Sequence, residues 1–142
     1  MPHNVDREGV ENAYENVRND TSKETWALFG YSDNEQIVHL KSGVDYCDFL
    51  GAFADDQRLY GFARIETGDE MSKRAKFVFI TWIGDNVSPL KKAKVSTDKG
   101  NVKHYIMNFA IEVLTSDVND LKYETLQSQV DKVGGAHYGT GK

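Results

Sequence analysis

The stretch AKFVFITWI, residues 75–83, is apolar on both of the faces that a β-strand presents. Side chains alternate between the two faces of a strand, so Phe77 and Phe79 lie on one side and Val78 on the other. A strand that is apolar on both sides is typical of a sheet that helices cover on both faces. Lys76 is the only charge in the stretch. The stretch therefore predicts an interior strand between two helical layers, with one cation near its start.

Outward from this strand, the sequence predicts a second strand and a connecting loop. RLYGFARIE (58–66) is rich in aromatic and β-branched residues, which favour strands. TGDEMSKR (67–74) has the polar and glycine residues of a loop. Before these two strands, the sequence predicts a helix over 6–19, a hairpin from 25–31 and 36–41, and a helix over 42–54 capped by Ser42. After them come a helix that starts at Pro89 and kinks or breaks near 95–100, a strand over 109–115, and a helix over 118–133 ended by Gly134-Gly135.

These elements predict a single α+β domain with a central mixed sheet of five or six strands sandwiched between α-helices on both faces. The domain is expected to occupy residues 1–135, with residues 136–142 as a flexible C-terminal tail. The 3.6-residue period predicts the buried faces of the first and last helices. They are Val10, Ala13, Tyr14 and Val17 in the first, and Val118, Leu121, Thr125, Leu126, Val130 and Val133 in the last.

Composition excludes several classes of protein. The chain has 142 residues, 39% of them hydrophobic, which supports an ordinary core and argues against disorder. No apolar run approaches the roughly 20 residues that span a bilayer.

The N-terminus lacks the pattern of a signal peptide, so a cytoplasmic location is expected. The single cysteine, Cys47, allows no internal disulfide and is interpreted as a core thiol. A monomer is expected, because no heptad pattern demands self-association.

Positive charge is concentrated in one segment of an acidic chain. The formal net charge is −5, yet residues 73–103 hold eight cations and two anions, a net charge of +6. The remaining residues hold 9 cations and 20 anions, a net charge of −11. The acidic total argues against nucleic-acid binding, whereas the basic segment favours a localised acidic partner. On charge alone, a solvated basic face without a partner is an equally good interpretation.

No constellation of residues predicts catalysis, a metal site or a cofactor. The four histidines lack metal-ligand spacing, and His39, inside a predicted strand, is interpreted as a hydrogen-bonded structural residue. Asp55 and Asp56 are adjacent in a predicted turn, where they face water instead of opposing each other across a cleft. No glycine-rich phosphate-binding motif occurs. The sequence therefore predicts a binding module that is not an enzyme.

Several stretches together form a pattern that is specific to one family. They are AYENVRND (13–20), TWALFGY (25–31), RLYGFARIETGDEMSKRAKFVFITWIGDNVS (58–88), KAKVSTDKGNVK (92–103) and VDKVGGAHY (130–138). With these stretches, the chain resembles the coactosin group of the actin-depolymerising factor homology domains, which are relatives of cofilin. The resemblance covers nearly the full length, and the block TGDxMSKRxKFxxITWIG is its most specific part.

The resemblance implies a protein of the cytoplasmic actin cytoskeleton that binds the sides of actin filaments and has no enzymatic activity. It implies Lys76 as the main filament contact, with Lys73 and Arg74 in the same segment. The basic helix resembles the long helix that cofilin-type domains lay against actin. The resemblance thus implies further actin contacts by Lys91, Lys92, Lys94, Lys99 and Lys103.

Two departures from the cofilin pattern argue against severing or depolymerisation. The serine that cofilins carry just after the initiator methionine is missing, and their KMxYASSKD signature is replaced by KAKVSTDKG, residues 92–100. Two alternatives stay open. One is a cofilin-like disassembly factor. The other is a phosphoinositide-binding or signalling adaptor, which would make weak contact with anionic lipid through the basic segment.

Overall fold

Five strands form one mixed sheet in the computed structural model, which describes residues 4–69 and 71–139. The elements are α1 (Arg7–Arg18), β1 (Trp26–Tyr31), β2 (Ile37–Gly43), α2 (Tyr46–Gly51), β3 (Arg58–Asp69), β4 (Ser72–Ile83), α3 (Pro89–Lys103), β5 (Ile111–Thr115), a 3₁₀ helix (Val118–Leu121) and α4 (Tyr123–Gly139). The strand order is β2-β1-β3-β4-β5, antiparallel except for the parallel β4–β5 pair. This architecture confirms the predicted α+β fold.

Two hydrophobic clusters fill the two faces of the sheet. Phe77 and Phe79 of β4 pack in the cluster that contains the buried faces of α1 and α3. Val78 and Ile80 pack in the other cluster, with residues of α2 and α4. Because β4 lies between β3 and β5 and is covered on both sides, the prediction of an interior strand is confirmed. The predicted buried face of α1 is confirmed as well.

The β3–β4 hairpin is longer than the sequence predicted. Strand pairing continues from Arg58↔Ile83 to Asp69↔Ser72, so the loop predicted over 67–74 is wrong. Gly68 makes this extension possible, because its φ of 98° and the close approach of the Ser72 backbone exclude a Cβ atom. We call residues 66–69 and 71–76 the β3–β4 arm. Its outer residues 71–74 are exposed to solvent, so the arm is a two-stranded extension of the sheet.

Helix α3 is continuous from Pro89 to Lys103, so the predicted break near residues 95–100 is wrong. Ser88 caps its start by accepting a hydrogen bond from the Lys91 backbone N–H. Val95 and Val102 are fully buried, seven residues apart on one face. This buried face, which Asp98 shares, lies in the second half of the helix and outweighs the low helix propensity of Gly100.

Replacing Gly100 by alanine is expected to stabilise the protein by about 0.5–1 kcal/mol. Gly100 has no left-handed backbone conformation, and a Cβ atom there meets nothing within 4 Å. The gain comes from the reduced backbone freedom of the unfolded chain. Urea unfolding followed by circular dichroism measures it as a higher midpoint at an unchanged slope. A lower midpoint would contradict this prediction.

Helix α2 begins later than predicted. Ser42 lies in β2, and the cap is Asp45, whose side chain accepts a hydrogen bond from the Cys47 backbone N–H. Phe49 is the buried residue of this one-and-a-half-turn helix. Because Cys47 stands two positions away, about 200° around the helix, it faces solvent and is exposed. The interpretation of Cys47 as a core thiol is therefore wrong.

The C-terminal segment differs from the single helix predicted over 118–133. It is divided into the 3₁₀ helix and α4, because the backbone at Lys122 is extended. Leu121, Leu126 and Val130 are buried as predicted, whereas Val118 and Val133 are 37% and 44% exposed. Helix α4 continues to Gly139, so the predicted stop at residues 134–135 is wrong. The flexible tail at 136–142 stays a prediction, and its last three residues lie outside the described part of the chain.

Candidate functional site

The β3–β4 arm presents three of the predicted site residues. Lys73 and Arg74 are exposed on β4, and Lys76 is half-buried where the strand enters the core. Lys76 pairs across the hairpin with Ile65, which is fully buried. Among the described residues, neither Lys73 nor Lys76 forms an ion pair. Both charges are therefore available to a partner, and Lys76 stands where the arm joins the core.

The base of the arm is fixed by aromatic stacking and by Arg64. The ring of Phe77 stacks on Phe62 with 5.3 Å between centroids and 10° between planes. The Arg64 guanidinium lies 5.4 Å from the centre of the Phe77 ring. Arg64 also donates hydrogen bonds to the carbonyls of Val17 and Arg18 at the end of α1. The residue next to Lys76 is thus held by both the sheet and a helix.

Sequence reasoning missed Arg64, although a signal was present. An arginine between Ala63 and Ile65 in an apolar strand must either reach water or find acceptors inside the protein. Here it finds the orphan carbonyls that every helix leaves at its C-terminus. Arg64 also pairs with Asp20 at 3.0 Å, but Asp20 is 89% exposed and adds little. The side chain therefore joins α1 to the base of the arm.

Helix α4 holds the arm from the opposite side. The Glu66 backbone N–H donates to the Tyr123 hydroxyl at 2.9 Å, and the Gln127 side-chain amide donates to the Glu66 carbonyl at 2.8 Å. Together these bonds satisfy the backbone N–H and the carbonyl of Glu66, which face outward from β3. Arg64 and α4 thus fix the two sides of the arm at its base.

The predicted cations do not form one patch. Strand alternation places Lys76 and Arg74 on the α2–α4 side of the sheet and Lys73 on the α1–α3 side. Helix α3 starts near Arg58, beside the far end of β4, where Lys91 and Arg58 line one cavity. Lys76 lies seven residues from that end of β4, roughly 23 Å along the strand. The arm and the start of α3 are therefore separate basic regions.

Three lysines of α3 already pair with carboxylates of the same chain. Lys99 and Lys103 lie 3.3 and 2.8 Å from the two oxygens of Glu112 on β5. Lys94 lies 2.8 Å from a carboxylate oxygen of Asp98. Lys91 and Lys92 form no ion pair among the described residues. Fewer positive charges of the basic segment are thus available to a partner than the number of its cations indicates. Lys99 and Lys103 instead hold α3 on the sheet.

Asp98 is the buried acceptor of a polar network between β1, β3 and α3. Its carboxylate accepts from the Tyr31 hydroxyl and from Lys94, both at 2.8 Å. The Tyr60 hydroxyl lies 3.3 Å from that of Tyr31 and donates to the Val95 carbonyl. Burial opposes the charge on Asp98, but the hydrogen bonds from Lys94 and Tyr31 outweigh it and hold its pKa below the usual range. Asp98 therefore carries its charge as part of the fold.

The two paired carboxylates predict a loss of stability in acid. Burial opposes ionisation of Glu112 as well, but Lys103 and Lys99 lower its pKa. A carboxyl group whose pKa is lower in the folded chain than in the unfolded chain stabilises the fold at pH values above its unfolded pKa. The unfolded pKa is 3.8 for Asp98 and 4.5 for Glu112. This stabilisation is lost as the pH falls through the folded pKa. We therefore expect the unfolding free energy to be nearly constant from about pH 7 to 5 and to fall steadily below that.

Urea unfolding at a series of pH values measures this dependence, with Asp98→Asn as the comparison. The variant should lose about 1–2 kcal/mol at pH 7, because a charge-assisted hydrogen bond is weakened. Its stability should then fall less between pH 5 and 3 than that of the wild-type chain. Parallel curves for the two proteins would show that Asp98 does not contribute to the acid transition.

The described residues offer no centre for metal chemistry. No group of three His, Cys, Asp or Glu side chains among them could hold a metal ion. A cavity of about 290 Å³ opens beside the start of α3, but its arginine, Arg58, is already bound to both oxygens of Glu35. No helix in the described part of the chain is long and apolar enough to cross a membrane. The arrangement of charges favours a surface that binds a large acidic partner.

Comparisons with known proteins give consistent results. The family model described as cofilin/tropomyosin-type actin-binding protein matches residues 3–131. The coactosin-like protein of Bos taurus is 45% identical over 97% of this chain and 96% of its own length. Coactosin of Dictyostelium discoideum is 39% identical over 92% of this chain and 90% of its own length.

Solved structures agree with these matches. A crystal structure of human coactosin-like protein has a TM-score of 0.87 at 44% identity, and the match covers 92% of this chain and 99% of that one. The solution structure of mouse coactosin, described as an actin filament binding protein, has a TM-score of 0.80 at 43% identity, over 100% of this chain and 99% of that one.

Proposed function

This chain belongs to the family of cofilin/tropomyosin-type actin-binding proteins, and from this premise we propose that it is an actin-filament binding protein of the coactosin type. The observation that carries the proposal is the identity of 39–45% to coactosins over nearly the whole chain. Mouse coactosin, which shares the fold, is described as an actin filament binding protein. The chain modulates filaments by binding their sides, without severing them and without enzymatic activity.

The β3–β4 arm is the main contact in this proposal. Lys76 contributes most, because Phe77 and Arg64 hold its backbone in place and little chain entropy is lost when it binds. Arg74, which lies on the same side of the sheet as Lys76, extends this contact toward the tip, and Lys73 adds a contact from the opposite face of the two-stranded arm. A cation on a rigid base can contribute more to affinity than one on a mobile loop.

The α3 lysines have a secondary part in the proposal. Lys91 and Lys92 attract an acidic surface from a distance and raise the association rate. Lys94, Lys99 and Lys103 are already ion-paired, so they add to the positive field but lose part of it to Asp98 and Glu112. The net charge of −11 outside the basic segment limits adhesion to other polyanions.

Co-sedimentation with actin filaments tests the proposal. The chain should pellet with filaments at low salt and less at higher ionic strength, since exposed charges are screened within about 8–10 Å at physiological salt. Failure to pellet at any salt concentration would overturn the proposal. Gel filtration alongside tests the monomer that we propose.

Microscopy of single filaments tests the non-severing part. Filament length should stay constant as the chain is added, because KAKVSTDKG, residues 92–100, replaces the cofilin signature KMxYASSKD. Shortening would instead establish the disassembly activity of a cofilin-like factor. Flotation with phosphoinositide vesicles tests the lipid-binding alternative, for which we expect weak contact at most.

A further inference from the structure

We infer that Met71 is an apolar contact of the filament interface and a site at which oxidation weakens filament binding; the inference rests on the proposed function. Met71 lies at the turn between β3 and β4, next to Ser72, the first residue of β4. Its exposed fraction is 93%, the highest among the exposed large hydrophobic side chains in the described part of the chain. It is thus the most accessible apolar group of the arm.

Exposed cations lie beside Met71 on the arm. Lys73 and Arg74 follow it on the same arm and are both exposed. Binding interfaces typically combine an apolar centre with a polar rim, and Met and Arg are enriched in them. The unbranched thioether side chain of methionine adapts to an irregular partner surface. The arm therefore presents both an apolar centre and a basic rim to the filament.

Oxidation would change this contact without unfolding the protein. A peroxide transfers one oxygen atom to the Met71 sulfur: the sulfur gives up an electron pair, the O–O bond breaks, and water leaves. The product is a sulfoxide, which is polar and is reduced back by methionine sulfoxide reductases. Because the side chain is outside both core clusters, the fold should keep its stability. Burial of the sulfoxide against actin would cost part of the binding free energy.

Filament binding by the peroxide-treated chain tests the inference. The full chain is used with Cys47→Ser, since Cys47 is exposed and would also be oxidised. It is treated with hydrogen peroxide, desalted, checked by peptide mass spectrometry for the Met71 sulfoxide, and mixed with untreated filaments. Met71→Leu and Met107→Leu are compared in the same background, because Met107 is also exposed, at 64%.

We expect oxidation to raise the Kd roughly ten-fold in the background chain and in Met107→Leu, equivalent to about 1.4 kcal/mol. Met71→Leu should bind equally well before and after treatment. Unchanged binding of the background chain with the Met71 sulfoxide in place would overturn the inference, as would equal weakening of Met71→Leu. Failure of the untreated background chain to pellet would instead refute the proposed function.

Discussion

Replacing Lys76 by alanine is expected to weaken binding to actin filaments about thirty-fold, the effect of roughly 2 kcal/mol. Lys76 lies at the base of the β3–β4 arm and forms no ion pair among the described residues. Its backbone is held by pairing with β3 and by its neighbour Phe77, which stacks on Phe62. Its charge therefore meets the partner with little loss of conformational entropy.

Co-sedimentation at one fixed ionic strength measures this effect. The matched control is Lys41→Ala, which removes another exposed lysine from a strand, β2, at the far edge of the sheet. The control should pellet as well as the wild-type chain, and both variants should unfold thermally within a few degrees of it. If Lys76→Ala pelleted as well as the wild-type chain, Lys76 would not be a filament contact.

Replacing Arg64 by alanine is expected to lower the unfolding free energy by roughly 2–4 kcal/mol. The Arg64 side chain is 14% exposed, and its Nε and Nη2 donate to the Val17 carbonyl while Nη2 also reaches that of Arg18. Removing it leaves the last carbonyls of α1 without these donors and removes the contact with the Phe77 ring.

Urea unfolding of Arg64→Ala and Arg64→Lys separates geometry from charge. Lysine keeps the charge but lacks the planar fork that reaches two carbonyls, so it should recover less than half of the lost stability. Circular dichroism gives the midpoints. A loss below about 0.5 kcal/mol in Arg64→Ala, typical of a surface site, would show that Arg64 does not join α1 to the sheet.

The parts of the fold that could be predicted from the sequence are those that depend on local periodicity. The alternation in residues 75–83 gave the interior strand, and the 3.6-residue period gave the buried face of α1. The longer β3–β4 arm was missed because the polar residues over 67–74 are typical of loops. Only the observed register, together with the positive φ at Gly68, shows that they pair.

The parts of the site that could not be predicted depend on contacts between residues distant in sequence. Lys103 and Glu112 are nine residues apart, and no local pattern indicates that their side chains meet at 2.8 Å across α3 and β5. Arg64 reaches carbonyls 46–47 residues earlier in the chain. The number of cations in residues 73–103 therefore identifies the basic segment. It does not distinguish the cations that are available to a partner from those that pair with carboxylates of the same chain.

Photo-crosslinking tests most directly whether the β3–β4 arm lies against actin. Benzoylphenylalanine replaces Ser72 on the arm, which leaves Lys76 intact, and in a second protein replaces Ser42 on β2. Each protein is bound to filaments and irradiated, and the products are separated by mass. We expect an adduct of one chain with one actin subunit from position 72 and not from position 42. A position-72 protein that pellets with filaments yet gives no adduct, or an equal adduct from position 42, would contradict it.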